Sequence, residues 1–411
     1  MPAVRLSAGW VIPVDSPPIE RGAVLIGPDG FLERVGPDSE VPRPPGVPRI
    51  EAPESALLPG LVNVHTHLEL TGFDGLLPED DFVAWITRLR ELKEERPLES
   101  YVAAARQGLR DCWASGVTMV ADTGDRKAVA QAVAELGGAA VVYQEVFGPD
   151  PEQCAASLDE LRLAIEAMRH HATGRIRLGI SPHAPYTVST VLYREAARWA
   201  RALHLPIALH LAESNEEVEF LRAGSGPFAA AWNRRGISLP EPGRTPVELV
   251  AGEGVLGPDV LCIHAVQLDA DDVERLARSR AAVAHCPRAN RRHGHGIAPL
   301  GQLLAAGVRV GLGTDSVGSV APLDLLAEAR AAREIAWLTA NEALALATIG
   351  GARALGLDAE IGTLTAGKRA DVAVVDLGPG PDPAERALAA QLGDVRAAYL
   401  GGRQVYGRKG G

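Results

Sequence analysis

No apolar run in the 411-residue chain approaches the roughly 18–20 residues of a membrane span, so no membrane partner is expected. The first twenty residues lack the basic-then-apolar order of a secretory signal, and cytoplasmic residence is the default expectation. A basic excess is also missing. The net charge is -11, which argues against a nucleic-acid partner. Cys112, Cys154, Cys262 and Cys286 are scattered with no C-x-x-C pair, so reduced thiols are expected and a disulfide framework is not. Lysine is as scarce as cysteine: four residues against 37 arginines, with none between Lys127 and Lys368.

What is present is the composition of an ordinary α/β enzyme, with 46% hydrophobic and 23% charged residues. The length exceeds one typical domain of roughly 100–200 residues unless that domain is an α/β barrel with additions. Residues 1–58 read as short β segments broken by turns, with the Pro-rich VPRPPGVPRIEAPE (41–54) as a connection. Residues 359–411 return to that style in IGTLTAGKRADVAVVDL and VRAAYLGGRQVYG. Both termini are therefore expected to build one small β-sandwich domain around an inserted larger one. In 59–358, eight short apolar runs alternate with helical stretches: LVNVHTHLEL (61–70), GVTMVADT (116–123), AAVVYQEVF (139–147), IRLGISPHAP (176–185), PIALHLAE (206–213), VLCIHAV (260–266), AAVAHCP (281–287) and RVGLGTDS (309–316). This rhythm predicts a (β/α)₈ TIM-like barrel, with a doubly wound open sheet as the alternative.

The active site of such a barrel lies at the carboxyl ends of its strands. Residues suited to metal chemistry fall there. His65 and His67 end the first run, His183 the fourth, His210 and Glu213 the fifth, His264 the sixth and Asp315 the eighth. Two histidines two apart on a strand point to the same side. With His210 and Asp315 they form an N₃O set for one divalent metal, Zn²⁺ first and Fe²⁺ second, with a position open for water. Such a metal lowers the pKa of its water from about 15.7 towards about 7. Glu213 is placed to carry a proton from that water to a leaving group. His264 is placed to polarise the substrate or hold the hydroxide, and Asp315 to accept a hydrogen bond from the water. Singly, each residue has a structural alternative: a core histidine, a helix cap, a solvated carboxylate. The conjunction at four strand ends carries the assignment. The second H-x-H, His293 and His295 in RRHGHG, is read as a glycine-flanked loop without partner ligands.

These motifs resemble the amidohydrolase superfamily, within it the mononuclear-metal branch of deaminases and chlorohydrolases. LLPGLVNVHTHLEL, SPHAPYT, HLAES, CIHAV, AHCPRAN and GLGTDS carry the resemblance, which spans essentially the whole chain. It implies His65, His67, His210 and Asp315 as ligands, Glu213 and His264 as the proton-handling pair, and His183 as a substrate contact. The binuclear subtype bridged by a carboxylated lysine is excluded by the lysine gap. Glu145 is left a substrate or structural role, and Ala289 departs from the usual Ser. Within that branch, which includes S-adenosylhomocysteine deaminases, HTHLEL and DFVAWITRL (81–89) look nearest to members handling aminodeoxyfutalosine. That nearness implies Glu69 at a ribose hydroxyl or a polar ring edge and Trp85 as a stacking wall. The expected reaction is deamination of an aminated heterocycle, an adenine-type nucleoside, by metal-bound hydroxide. Hydrolysis of another ring bond of guanine, imidazolone or triazine type is the alternative. A non-catalytic barrel scaffold is the alternative of another class, against which the intact ligand set argues. A small molecule is the expected partner, and a homodimer is implied by analogy alone.

Overall fold

Two sheets share the chain in its computed structural model, which describes residues 2–77 and 81–408. The first four strands are β1 (Val4–Val11), β2 (Ile19–Ile26), β3 (Leu32–Pro37) and β4 (Arg49–Pro59). Eight more follow: β5 (Leu61–Thr66), β6 (Val117–Gly124), β7 (Ala140–Val146), β8 (Ile176–Pro182), β9 (Ile207–Leu211), β10 (Val260–His264), β11 (Ala282–His285) and β12 (Arg309–Leu312). β13 (Val372–Asp376), β14 (Val395–Leu400) and β15 (Arg403–Gly407) end the series.

Strands β5 to β12 pair in sequence order, all parallel. Most are buried along their whole length, as expected of parallel strands covered by helices on one side and barrel interior on the other. The ends of this sheet meet. A parallel bridge joins Thr66 to Asp315, and the Asn63 side chain donates to Thr314 Oγ1 at 2.8 Å while accepting the Thr314 N–H at 3.1 Å. That closure distinguishes a barrel from an open doubly wound sheet. Helices cover the outside, two of them, Phe82–Glu95 and Leu98–Ala114, between β5 and β6. Among the described residues no helix is long and apolar enough to cross a membrane.

The other seven strands form a mixed sheet in the order β15-β14-β13-β4-β1-β2-β3, so both termini contribute to it. Alternation divides its faces. Ala56 and Leu58 of β4, with Ala373 and Val375 of β13, join the barrel's core, while Leu57, Val372 and Val374 belong to a separate core on the opposite face. Arg175, at the start of β8, holds Asp371 through two hydrogen bonds of 2.7 and 2.6 Å. The Pro-rich stretch differs from its expected role as a connection, because Arg49–Pro59 is a strand paired with both β1 and β13. Pro53 has no N–H to give the ladder, and the β1 register shifts beside it, between Ala8 and Trp10. Gly9 makes this fit: a Cβ there would collide with the Pro53 carbonyl.

Candidate functional site

The mouth of the barrel collects the side chains that the strand-end pattern points to. His65 lies near the end of β5 and His67 one residue past it. Thr66, between them, points the other way, donating to Asp122 Oδ2 at 2.9 Å. The same carboxylate accepts the Leu68 N–H at 2.6 Å, which pins the chain as it leaves the strand. His210 arrives on β9, with Nδ1 3.3 Å from the His183 carbonyl. One nitrogen from each of His65, His67 and His210 lies within 4.8 Å of the others. Asp315 Oδ1 stands 3.5 Å from His65 Nε2 and 3.4 Å from His67 Nε2.

This quartet fits a divalent metal on the structure's own terms. Both ring nitrogens of His65 are buried without a hydrogen-bond partner, an arrangement that is costly unless something else takes a lone pair. Burial lowers the pKa of His65, takes His67 well below its usual value and pushes His210 down to about 3. The imidazoles are therefore neutral, as ligands must be. Burial would raise the carboxyl of Asp315, but the imidazoles of His65, His67 and His264 around it outweigh that and hold it well below the usual range. Asp315 sits at φ 58°, His264 at 70° and Ala212 at 51°. Left-handed backbone at three non-glycine strand ends is the kind of strain that clusters at working sites.

Glu213 follows the fifth barrel strand. The carboxylate of Glu217 accepts the N–H of Ala212 and of Glu213, each at 2.9 Å, and so fixes the backbone that carries the Glu213 side chain. Glu213 Oε1 faces His264 Nε2 at 3.4 Å. His264 Nδ1 is anchored by Asn290 Oδ1 at 2.9 Å. Burial would raise the Glu213 carboxyl, but His264, His295 and His210 outweigh it and keep it low, in the form that accepts a proton.

His183 reaches the same opening, with Nδ1 2.8 Å from Thr187 Oγ1 and its ring against Phe147. Its ligand atom, one from His210 and one from Glu145 form a second close group, again within 4.8 Å. Glu145 Oε1 is buried without a partner, and burial pushes that carboxyl up to about 8 against the opposing charge of Lys93. Lys93, from helix Phe82–Glu95, pairs with Asp125 at 2.8 Å and with Glu69 at 3.7 Å.

Two expectations need correcting. The Glu69 carboxylate does not face the opening. It is 1% exposed and accepts the N–H groups of Asp125 and Arg126, both at 3.2 Å, beside Lys93. It holds the end of β6 rather than offering itself to a sugar. The H-x-H read as a loop without partners also lies at the mouth: His295 Nε2 is 3.3 Å from Glu213 Oε1. Trp85 sits one layer back, its indole N–H donating to the Gly318 carbonyl at 3.2 Å. Its ring lies against His293, with centroids 4.9 Å apart, and Phe82 reaches further, meeting His295 edge-on at 4.5 Å.

Sequence reasoning thus missed His295, Asn290, Phe82 and Lys93. One signal was available for the first two: a loop following a barrel strand opens at the same mouth as every other such loop. Nothing local marked Phe82 or Lys93. Beyond Phe82, a cleft of about 1110 Å³ opens between the helices Phe82–Glu95 and Asn215–Ala223, with His293 on its wall.

Comparison with known proteins bears on this arrangement. A model of the amidohydrolase family matches residues 56–405. A 5-methylthioadenosine/S-adenosylhomocysteine deaminase of Moorella thermoacetica is 34% identical, over 97% of this chain and 92% of that protein. Among solved structures, an adenosine deaminase of Xanthomonas campestris with bound zinc is 25% identical, with a TM-score of 0.85 over 98% of this chain and 92% of that one. The aminofutalosine deaminase of Helicobacter pylori, in complex with methylthio-coformycin, has a TM-score of 0.86 at 22% identity, covering 98% of this chain and 100% of that one. At that identity the likeness is one of fold.

Proposed function

The chain belongs to the amidohydrolase family, and from that premise we propose that it is a metal-dependent aminohydrolase that removes the exocyclic amine of an adenine-type nucleoside. The observation that carries the reading is the position of Glu213. Its carboxylate is buried and faces His264, whose ring centroid is 5.6 Å from those of His65 and His210, so it stands beside the quartet His65, His67, His210 and Asp315 without being one of them. A ligand set and a separate proton carrier are the two parts that hydrolytic deamination requires.

His65, His67, His210 and Asp315 would hold the ion, zinc first and iron second. When bound it supplies acidification of water and stabilisation of negative charge. The other steps belong to the chain's own residues. Glu213 accepts a proton from the attacking water and passes it to the ring nitrogen next to the carbon that bears the amine. Asp315 accepts a hydrogen bond from that water. His264, steadied by Asn290, sits across from Glu213 to support the oxygen that adds to the ring. Once the amine takes the remaining proton of the added hydroxyl, the C–N bond breaks and ammonia leaves, with a carbonyl in its place. His183 offers a ring-edge hydrogen bond. Phe82, backed by the near-parallel ring of Trp85, provides an aromatic wall.

Two observations favour a nucleoside over a bare base. The relatives include deaminases named for 5-methylthioadenosine, S-adenosylhomocysteine and adenosine. The cleft past Phe82 also leaves room for a substituent well beyond the ring. With Glu69 turned away from the opening, no carboxylate from the HTHLEL segment serves the sugar. The test is ammonia release by purified, zinc-loaded protein from 5′-methylthioadenosine, S-adenosylhomocysteine, adenosine, aminodeoxyfutalosine, guanine and cytosine. The reading requires an adenine nucleoside to have the highest kcat/KM. Guanine, cytosine or no substrate at the head of that ranking would refute it.

A further inference from the structure

We propose that His295 is a positioning residue for the proton carrier: with His264 it engages one oxygen of the Glu213 carboxylate and leaves the other to face the substrate. The inference rests on the reading of Glu213 as that carrier.

Both imidazoles address the same atom. His295 Nε2 is 3.3 Å and His264 Nε2 is 3.4 Å from Glu213 Oε1. Among the described residues, no hydrogen bond or ion pair engages Oε2. A carboxylate with two equivalent free oxygens accepts a proton on either one and turns about its terminal bond. With one oxygen faced at ion-pair distance by two imidazole nitrogens, of which His295 Nε2 has no hydrogen-bond partner of its own, the proton goes to the other. The work of Glu213 demands that asymmetry, because the proton must be picked up from water and set down on a ring nitrogen along one line.

His295 is built into its place. It is 3% exposed. Its N–H donates to the Asn290 carbonyl at 3.0 Å, its own carbonyl accepts the Gln267 side-chain amide, and Phe82 covers its ring edge-on. Gly294 and Gly296 flank it at φ 67° and 102°, left-handed values that turn the loop inward and that other residues rarely adopt. The loop after β11 therefore controls both histidines. Asn290 anchors His264 through its side chain and His295 through its backbone. His295 lies outside the group formed by His65, His67 and His210, so its removal leaves the ligand set intact.

Two variants and one spectrum test this. His295→Phe fills the space without a donor, and His295→Gln restores an N–H near the Nε2 position. With metal content unchanged, His295→Phe should lower kcat on the best nucleoside by about 10- to 100-fold, with KM moving by less than about 3-fold, and His295→Gln should recover part of that loss. In protein labelled with ¹⁵N-histidine, the ring resonances of His295 should shift in Glu213→Gln while those of exposed His170 stay. Normal kcat in His295→Phe overturns the proposal. So does a loss that Gln fails to relieve together with an unmoved His295 spectrum, which marks the ring as packing alone. If no nucleoside is turned over by the wild type, the deaminase reading fails, and the spectrum decides the pairing with Glu213 by itself. It also decides if His295→Phe does not fold.

Discussion

Replacing Glu217 with Gln perturbs the site without touching any group that meets substrate or metal. Glu217 is fully buried, and its two oxygens accept the N–H groups of Ala212 and Glu213 at 2.9 Å each. Burial pushes its carboxyl up to about 8, against the pull of those two amides. In either protonation state both oxygens still accept. Glutamine has one oxygen only, and its NH₂ would face a backbone N–H, donor against donor. One buried amide is left unpaired, at about 1–3 kcal/mol. The clamp also helps to hold Ala212 at φ 51°, a conformation costing about 1–2 kcal/mol for a residue with a Cβ. Once it is released, the Ala212–Glu213 backbone relaxes and carries the carboxylate away from His264 and His295. A misplacement of about 1 Å is worth on the order of 10²-fold in turnover. The expected outcome is a loss of about 1–3 kcal/mol in urea unfolding followed by tryptophan fluorescence, with kcat reduced at least tenfold and the metal retained. Wild-type stability and wild-type kcat in Glu217→Gln would refute this account of how Glu213 is placed.

Three further outcomes are expected. Glu213→Gln should keep its metal, since Glu213 stands outside the quartet, yet lose on the order of 10²-fold or more in kcat; near-normal turnover would remove Glu213 from proton transfer. Elemental analysis should find about one zinc or iron per chain and almost none in His67→Ala, whereas two tightly held ions would give Glu145 and His183 a ligating role. Glu328 tests pH dependence at a buried carboxyl outside the ligand set. Burial pushes its carboxyl up to about 8, only partly opposed by the N–H and charge of Arg288. Between its ordinary 4.5 and about 8 the folded chain holds a proton that the unfolded chain releases, so this group's contribution to stability is lost as pH rises through that window. Urea titrations at several pH values should show Glu328→Gln gaining on the wild type as pH climbs, and a constant difference would contradict the assignment.

Much of this molecule is legible from short-range rules. Period-two alternation places His65 and His67 on one side and Thr66 on the other, and Thr66 does turn to Asp122. The rule that barrel sites lie at strand ends collects His183, His210, His264 and Asp315 at one mouth without any knowledge of distances. The seven-stranded sheet was half legible. Its apolar runs were visible, but the prolines of 41–54 disguised β4, whose pairing depends on a register shift in β1.

The residues that escaped share one property: their roles are set by segments folding back over the mouth. Glu69 is one residue beyond HTHL, and the sequence leaves it free to serve either solvent or substrate. Only the arrival of Lys93 from a helix 24 residues later, and of two amides at the end of β6, claims its charge. Phe82 and Trp85 both lie on one helix, and the packing of that helix against His293 and His295 decides which ring comes nearer to Glu213. His295 itself reads as a loop residue between glycines until their left-handed backbone turns it inward. Alternation and strand-end position act over a few residues, so the sequence by itself determined the barrel and the four proposed ligands. Contacts between separate segments have no local period to announce them, so only the tertiary structure decided what surrounds Glu213 and what surrounds Glu69.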